Sequence, residues 1–218
     1  MSNKARPSVC LVDDDAGVRD AFRLLMKTSG LKLITFNSAN EFLANFEPRN
    51  VGCIVLDVRM PGMTGMELQE ILHQRKNHVP VIILTGHADV PLAVQAVKHG
   101  AQDVIEKPFK DDLILEAIHK AFAVYDGCKK IEADRRSISD RLSRLTPREL
   151  EVLDLMVGGR TNKAIAEHLG ISRKTLDIHR SKVMEKMEAR TTADLVRFRL
   201  LEKYPPASGS LIKEYDLL

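Results

Sequence analysis

The chain has 218 residues, 44% hydrophobic and 29% charged, which is enough apolar material for one or two packed domains and too balanced for a disordered or fibrous protein. No apolar stretch approaches the roughly 18–20 residues that span a bilayer, and MSNKARPSV lacks the apolar core of a secretory signal, so a cytoplasmic protein with no membrane partner is expected. Residues 1–126 carry 14 Lys/Arg against 16 Asp/Glu and residues 144–204 carry 13 against 9, so a nucleic-acid partner, if there is one, belongs to the second half. The three cysteines, Cys10, Cys53 and Cys128, are too few and too scattered for a disulfide framework or a zinc site and read as reduced structural thiols.

In chain order, β-rich runs at 8–12, 32–36, 52–56, 81–85 and 103–106 alternate with segments of helical spacing at 16–29, 39–46, 65–75 and 90–99, and a further helix starts near Lys110. This alternation predicts a parallel sheet covered by helices on both faces. Near-continuous apolar runs such as VIIL suit strands buried on both sides. Residues 111–145 remain helix-compatible, and the charge-rich stretch at 129–141 reads as a solvated helical linker. Thr146-Pro147-Arg148-Glu149 is a capping box with proline at the first helical position, and Gly158-Gly159 stops that helix. Residues 162–172 give a short helix, a glycine-containing turn and Ser172 as the N-cap of a longer helix at 173–187, which together form a helix-turn-helix. Thr191 with Asp194 opens a last helix, and PPASGS at 205–210 ends structure ahead of a flexible tail at 205–218.

Ligands of open parallel sheets bind at the carboxyl ends of the strands. Asp13 and Asp14 follow the first strand, Asp57 the third, Thr85 ends the fourth, and Lys107 follows the fifth. A lone aspartate after a strand is ordinarily a turn former or helix cap. Here the acids, a hydroxyl and an ammonium meet at one sheet edge. Crowded carboxylates cannot all ionise cheaply, and a hard divalent cation with oxygen ligands removes the conflict. Mg²⁺ or Mn²⁺ on Asp13, Asp14 and Asp57 would leave Asp57 able to attack a phosphoryl group, with Lys107 and Thr85 on the equatorial oxygens and Gly86 leaving room. Asp15 reads as a helix cap beside the site.

In the second half, a helical wheel over 173–187 turns Leu176, Val183 and Met187 inward, with His179 and Arg180 flanking. The outward face presents Lys174, Ile178, Ser181 and Glu185, with Asp177 and Lys182 at its sides. If it enters a major groove, Asp177, Ile178 and Ser181 are the base readers: Ile178 could meet a thymine methyl and Asp177 could accept from cytosine N4. Lys163, Arg173, Lys174, Arg180 and Lys182 are candidates for phosphate contacts.

The motifs VDD at 12–14, LDVRMPGMTG at 56–65, ILTG at 83–86 and EKPF at 106–109 resemble the CheY-like receiver domain of two-component response regulators. Residues 145–187 resemble the LuxR-type helix-turn-helix, and the combination resembles the NarL/FixJ subfamily. The resemblance implies an α/β, doubly wound five-stranded parallel receiver domain with strand order 2-1-3-4-5 at 5–126, a helical linker at 127–143, and a small all-α helix-turn-helix domain at 144–204. It implies Asp57 as phosphoacceptor, Asp13, Asp14 and the Arg59 backbone carbonyl as further metal ligands, Thr85 as switch hydroxyl, Lys107 as phosphate-binding lysine, and a cis bond before Pro108. The family's switch aromatic, three residues before that lysine, is here Val104. Relatives often carry lysine where this chain has Asp177 and Ser181, so a different DNA preference is expected. Leu195, Val196, Phe198 and Leu201 would supply a dimer contact. The implied partners are a sensor histidine kinase, double-stranded promoter DNA, a second copy of the chain on phosphorylation, and RNA polymerase as a further candidate. The receiver would catalyse only its own phosphotransfer and autodephosphorylation.

Two other readings are open on the residues alone. Asp13-Asp14-Asp15 satisfies the D-x-D of haloacid-dehalogenase-like phosphatases, with Asp13 as nucleophile and Asp111-Asp112 as a later acidic pair. The C-terminal helices could instead be a protein-interaction module.

Overall fold

The structure is a computed structural model that describes residues 7–48, 50–75, 77–86 and 90–204. The tail expected at 205–218 lies outside the described residues, as do residues 5 and 6 of the expected first domain. The chain divides between Cys128 and Lys129 into two compact units.

In the first unit, β1 (Ser8–Val12), β2 (Leu33–Phe36), β3 (Val51–Asp57), β4 (Val81–Thr85) and β5 (Ala101–Glu106) form one parallel sheet in the order β2-β1-β3-β4-β5. Every residue of β1, β3 and β4 is buried, as an internal strand covered on both faces requires. Helices α1 (Ala16–Thr28), α2 (Ala39–Asn45), α3 (Gly65–Gln74) and α4 (Val90–Lys98) alternate with the strands, and α5 (Asp111–Leu142) follows β5. One face of the sheet carries a core that includes Val12, Phe42, Ile54, Leu68 and Ile83. The other carries Leu11, Phe22, Cys53, Ile82, Ile114 and Ile118. Cys10 and Cys53 belong to opposite cores, and burial pushes both thiols up, which keeps them protonated and inert. β5 begins two residues before the run at 103–106: Ala101 pairs with Val81, and a register shift separates that pair from Ile82 with Asp103. The irregularity interrupts the alternation by which the strand start would be read from sequence.

In the second unit, α6 (Pro147–Val157), α7 (Asn162–Leu169), α8 (Arg173–Lys186) and α9 (Thr192–Lys203) surround a core of Val152, Leu153, Ile165, Leu176, Val183, Met187 and Leu195. Thr146, Thr161, Ser172 and Thr191 each cap the following helix by accepting a backbone N–H. Gly170 takes the left-handed conformation (φ 63°) that turns α7 into α8, where a side chain would be strained. The segment 129–141 is helical but not uniformly solvated. Ile138 is 3% exposed within this unit's core, with Leu142 packed beside it, and Arg141 donates to the Met187 carbonyl at 3.2 Å. One apolar residue per turn among many charges is a stripe too narrow for composition to reveal.

Glu149 joins α6 to α8. Its carboxylate accepts from the Thr146 amide at 2.8 Å and from Lys186 Nζ at 2.6 Å, and Lys186 also donates to the Arg144 carbonyl at 3.1 Å. The Lys186 ammonium first, then the Thr146 amide, hold the Glu149 carboxyl down at about 2. A depressed carboxyl contributes stability that is present above the unfolded value and lost as pH falls through the folded one. Glu149→Ala is therefore expected to cost about 1.5–3 kcal/mol at neutral pH. Its deficit against the wild type in urea unfolding should shrink as pH falls from 4.5 toward about 2.

Candidate functional site

The carboxyl ends of β1, β3, β4 and β5 bring the predicted residues to one edge. Asp57 is the last residue of β3 and is 5% exposed; Asp13, just past β1, is fully buried, whereas Asp14 is exposed. Lys107 Nζ donates to Asp57 Oδ1 at 2.6 Å and to Asp13 Oδ2 at 2.8 Å. The second oxygen of Asp57 accepts from the Arg59 amide at 3.0 Å, and Asp13 Oδ1 accepts from the Asp15 amide at 2.9 Å. Asp15 caps α1 through the Gly17 amide at 2.7 Å. Thr85 is buried at the end of β4, and its carbonyl accepts from the Lys107 amide at 2.7 Å. A Cβ added at Gly86 would meet nothing within 4 Å, and the Lys107-Pro108 bond is cis.

Electrostatics here are unbalanced. Burial, reinforced by the nearby Asp13 charge, raises the Asp57 carboxyl above its ordinary value although Lys107 and the Arg59 amide pull it down. The Lys107 ammonium loses solvation, yet its two carboxylate partners raise it overall. Lys107 is thus held charged while one ammonium serves two acids. Donor oxygens of Asp13, Asp14 and Asp57 lie within 4.8 Å of one another, and among the described residues this is the one group so arranged. An all-oxygen, partly solvent-facing set with excess negative charge fits Mg²⁺ or Mn²⁺.

Two residues of this site were not singled out from sequence. Arg19 Nη1 donates to the Asp13 and Asp14 carbonyls, both at 2.7 Å, and so fixes the loop that carries the acids. Its signal is an arginine on the first turn of α1, at reach of the preceding loop. Gly65 opens α3 with its amide donating to the Val58 carbonyl at 3.0 Å, and a Cβ there would fall 2.0 Å from the Asp57 carbonyl oxygen. Only glycine lets α3 start this close to Asp57. Val104 packs against the sheet core as a partly buried aliphatic residue.

On α8, Leu176, Val183 and Met187 are fully buried, while Arg173, Lys174, Asp177, Ile178, Ser181 and Lys182 are exposed, as the wheel requires. Ile178 is 52% exposed and so lies open on the outward face of α8. Lys163 on α7 is exposed, 3.9 Å from Glu167, and Arg180 is half-buried. The dimer candidates need correction. Leu195 and Phe198 are buried in this unit's own core and Leu201 packs against it, because four short helices need the apolar face of α9 to close. The exposed apolar groups of α9 and its end are Leu200 and Tyr204.

A buried strand-end aspartate beside two further acids and a lysine, on a doubly wound sheet, together with a separate helix-turn-helix unit, defines a receiver joined to a DNA-binding module. The family model for the response regulator receiver domain matches residues 9–119, and that for bacterial regulatory proteins of the luxR family matches residues 143–199. The transcriptional regulatory protein FixJ of Azorhizobium caulinodans is 43% identical over 93% of this chain and 96% of its own. The C4-dicarboxylate transport transcriptional regulatory protein DctR of Rhodobacter capsulatus is 43% identical over 87% of this chain and 98% of its own. Among solved structures, the response regulator StyR aligns with a TM-score of 0.78 at 38% identity, over 89% of this chain and 98% of that one. The chain belongs to the FixJ/NarL-type response regulators, transcriptional regulators that join a receiver to a LuxR-type DNA-binding domain. Neither the phosphatase nor the protein-interaction reading accounts for both matches.

Because the raised Asp57 carboxyl is destabilising when charged, Asp57→Asn is expected to raise the unfolding temperature at neutral pH. A group raised on folding loses this penalty as pH falls, so the advantage of the variant should fade toward acid. Thermal unfolding of both proteins across pH 4–7 in EDTA, to keep metal out of the comparison, checks both statements.

Proposed function

We propose that Asp57 accepts a phosphoryl group from a sensor histidine kinase and that this modification controls promoter binding. The observation that carries the reading is the Asp57 carboxylate, 5% exposed and held between Lys107 Nζ at 2.6 Å and the Arg59 amide at 3.0 Å beside Asp13 and Asp14. One Asp57 oxygen forms the new O–P bond as the N–P bond of the phosphohistidine breaks, leaving the histidine on the kinase. Lys107, released from Asp57, is placed to neutralise a phosphoryl oxygen, and the Thr85 hydroxyl to donate to another. Asp13, Asp14, Asp57 and the Arg59 carbonyl would hold Mg²⁺ or Mn²⁺, which when bound offsets the charge of the phosphoryl oxygens. Catalysis in this reading is limited to the chain's own phosphotransfer and autodephosphorylation.

Val104 supplies no ring to swing, so the conformational readout falls to Thr85 and Lys107. The two-state shift they bias would favour a dimer and free the DNA module. Of α9, the partly exposed Val196 and the exposed Leu200 are left for the dimer contact. In domain terms, 5–126 receives the phosphoryl group, 127–143 connects, and 144–204 binds DNA. Asp177, Ile178 and Ser181 read bases from α8, and Lys163, Arg173, Lys174 and Lys182 contact phosphates, with the half-buried Arg180 less available. No helix of the described residues is long and apolar enough to cross a membrane. The reading puts the regulator in the cytoplasm, with RNA polymerase as a further candidate partner.

Intact mass after incubation with acetyl phosphate and Mg²⁺ should show one added phosphoryl group, absent in Asp57→Ala and in EDTA. An adduct that survives Asp57→Ala, or continuous phosphate release that stops only with Asp13→Ala, would instead indicate a hydrolase. In binding selections on random duplexes, Ile178→Ala is expected to relax preference at one base position by about 1–3 kcal/mol. Lys174→Ala should weaken binding to all sequences and lower the salt slope by about one.

A further inference from the structure

The loop between β1 and α1 carries two of the three acids of the site and has no helix or strand of its own to hold them. Asp13 is fixed through its buried carboxylate, which accepts from Lys107 Nζ at 2.8 Å and from the Asp15 amide at 2.9 Å. Asp57 is fixed by its place at the end of β3, by Lys107 and by the Arg59 amide. Asp14 is exposed, and its tie to the fold runs through its backbone carbonyl.

Arg19 makes that tie. It stands half-buried on the first turn of α1, and a single nitrogen, Nη1, donates to the Asp13 carbonyl and to the Asp14 carbonyl, each at 2.7 Å. A peptide group is planar, so pinning these two oxygens orients the two peptide planes that flank the Asp14 Cα. With both planes held, the backbone angles of Asp14 and the direction of its Cβ are set. Arg23, one turn further along α1, is used differently. Its guanidinium donates to the Asp20 carboxylate and, at 3.0 Å, to Thr35 Oγ1, in exposed contacts outside the loop.

We propose that Arg19 is a positioning residue for the divalent cation: through the backbone it keeps a donor oxygen of Asp14 within 4.8 Å of those of Asp13 and Asp57, a role that rests on the reading of these acids as metal ligands. Removing groups that orient metal ligands from outside typically lowers metal affinity about 10–100-fold. The charge of Arg19 acts in the opposite direction, because a guanidinium repels a dication and its loss alone would tighten binding. The sign of the change therefore separates the two roles. Because the effect of Arg19 passes through Asp14, it must vanish once Asp14 has no carboxylate.

The test is a titration of the full-length chain with Mn²⁺, the free ion being read by electron paramagnetic resonance, in a double-mutant cycle of Arg19→Met and Asp14→Ala. Arg19→Met is expected to weaken binding at least tenfold. In the Asp14→Ala background the same change should alter affinity by no more than about twofold. Arg23→Met, the control on the same helix, should match the wild type. Cooperative unfolding in EDTA reports that each variant is folded; if Arg19→Met fails this, Arg19→Lys, which keeps the charge without the planar fork and should weaken binding by less, takes its place in the cycle. In acetyl phosphate labelling, the half-saturating Mg²⁺ of the Arg19 variant should rise more than its saturated rate falls. Three results would overturn the role: no Mn²⁺ on the wild type, binding by the folded Arg19 variant as tight as or tighter than the wild type, or the same loss with and without the Asp14 carboxylate. The expected Mn²⁺ affinities together with no labelling of the wild type at any Mg²⁺ would uphold the role of Arg19 and remove the phosphoacceptor reading of Asp57.

Discussion

The receiver is organised around a charge imbalance at the end of its central strands, where three carboxylates gather and one ammonium pairs with two of them, Asp13 and Asp57. Two carboxylate oxygens within 4.8 Å repel by about 3.5 kcal/mol at an effective dielectric of about 20. That is comparable to what a charged hydrogen bond returns, about 1.5–3 kcal/mol, so Lys107 between Asp13 and Asp57 contains the repulsion without removing it. A divalent cation, or a phosphoryl group together with that cation, redistributes these charges and gives Lys107 a new partner. The site is therefore poised rather than relaxed, and the surrounding fold exists to hold it there. Three internal strands buried at every residue fix Asp57 and Asp13, Arg19 clamps the acidic loop from α1, and Gly65 lets α3 start against the Asp57 backbone.

Much of this was legible in the sequence, for identifiable reasons. Strands buried on both sides must be written in nearly continuous apolar residues, so β1, β3 and β4 announce themselves, and the polar residues that follow them fall at a common edge. Helix starts were legible because a capping hydroxyl or carboxylate must stand beside the orphan amides, as at Asp15, Thr146, Ser172 and Thr191. The α8 wheel worked because a short amphipathic helix has one way to bury Leu176, Val183 and Met187.

What was not legible depended on partners distant in the chain. Glu149 reads as a capping residue, and nothing local says that Lys186 reaches it across 37 positions. Ile138 reads as part of a charged linker until the second unit's core needs it, and Leu195 and Phe198 read as surplus apolar area until four short helices are seen to share one core. The start of β5 was displaced by a register shift that no propensity scale encodes. His73, His99 and Cys128 show the same limit: residues far apart in the chain come to line one cavity only through the sheet topology.

The account makes DNA occupancy conditional on the state of one aspartate. The most direct measurement is a map of DNA bound across the host genome by the wild-type protein and by Asp57→Ala, each with the phosphodonor supplied. The account predicts discrete sites occupied by the wild type, lost in Asp57→Ala and sharing a sequence that changes when Ile178 is replaced. Identical occupancy by the two proteins, or no enrichment by either, would contradict it.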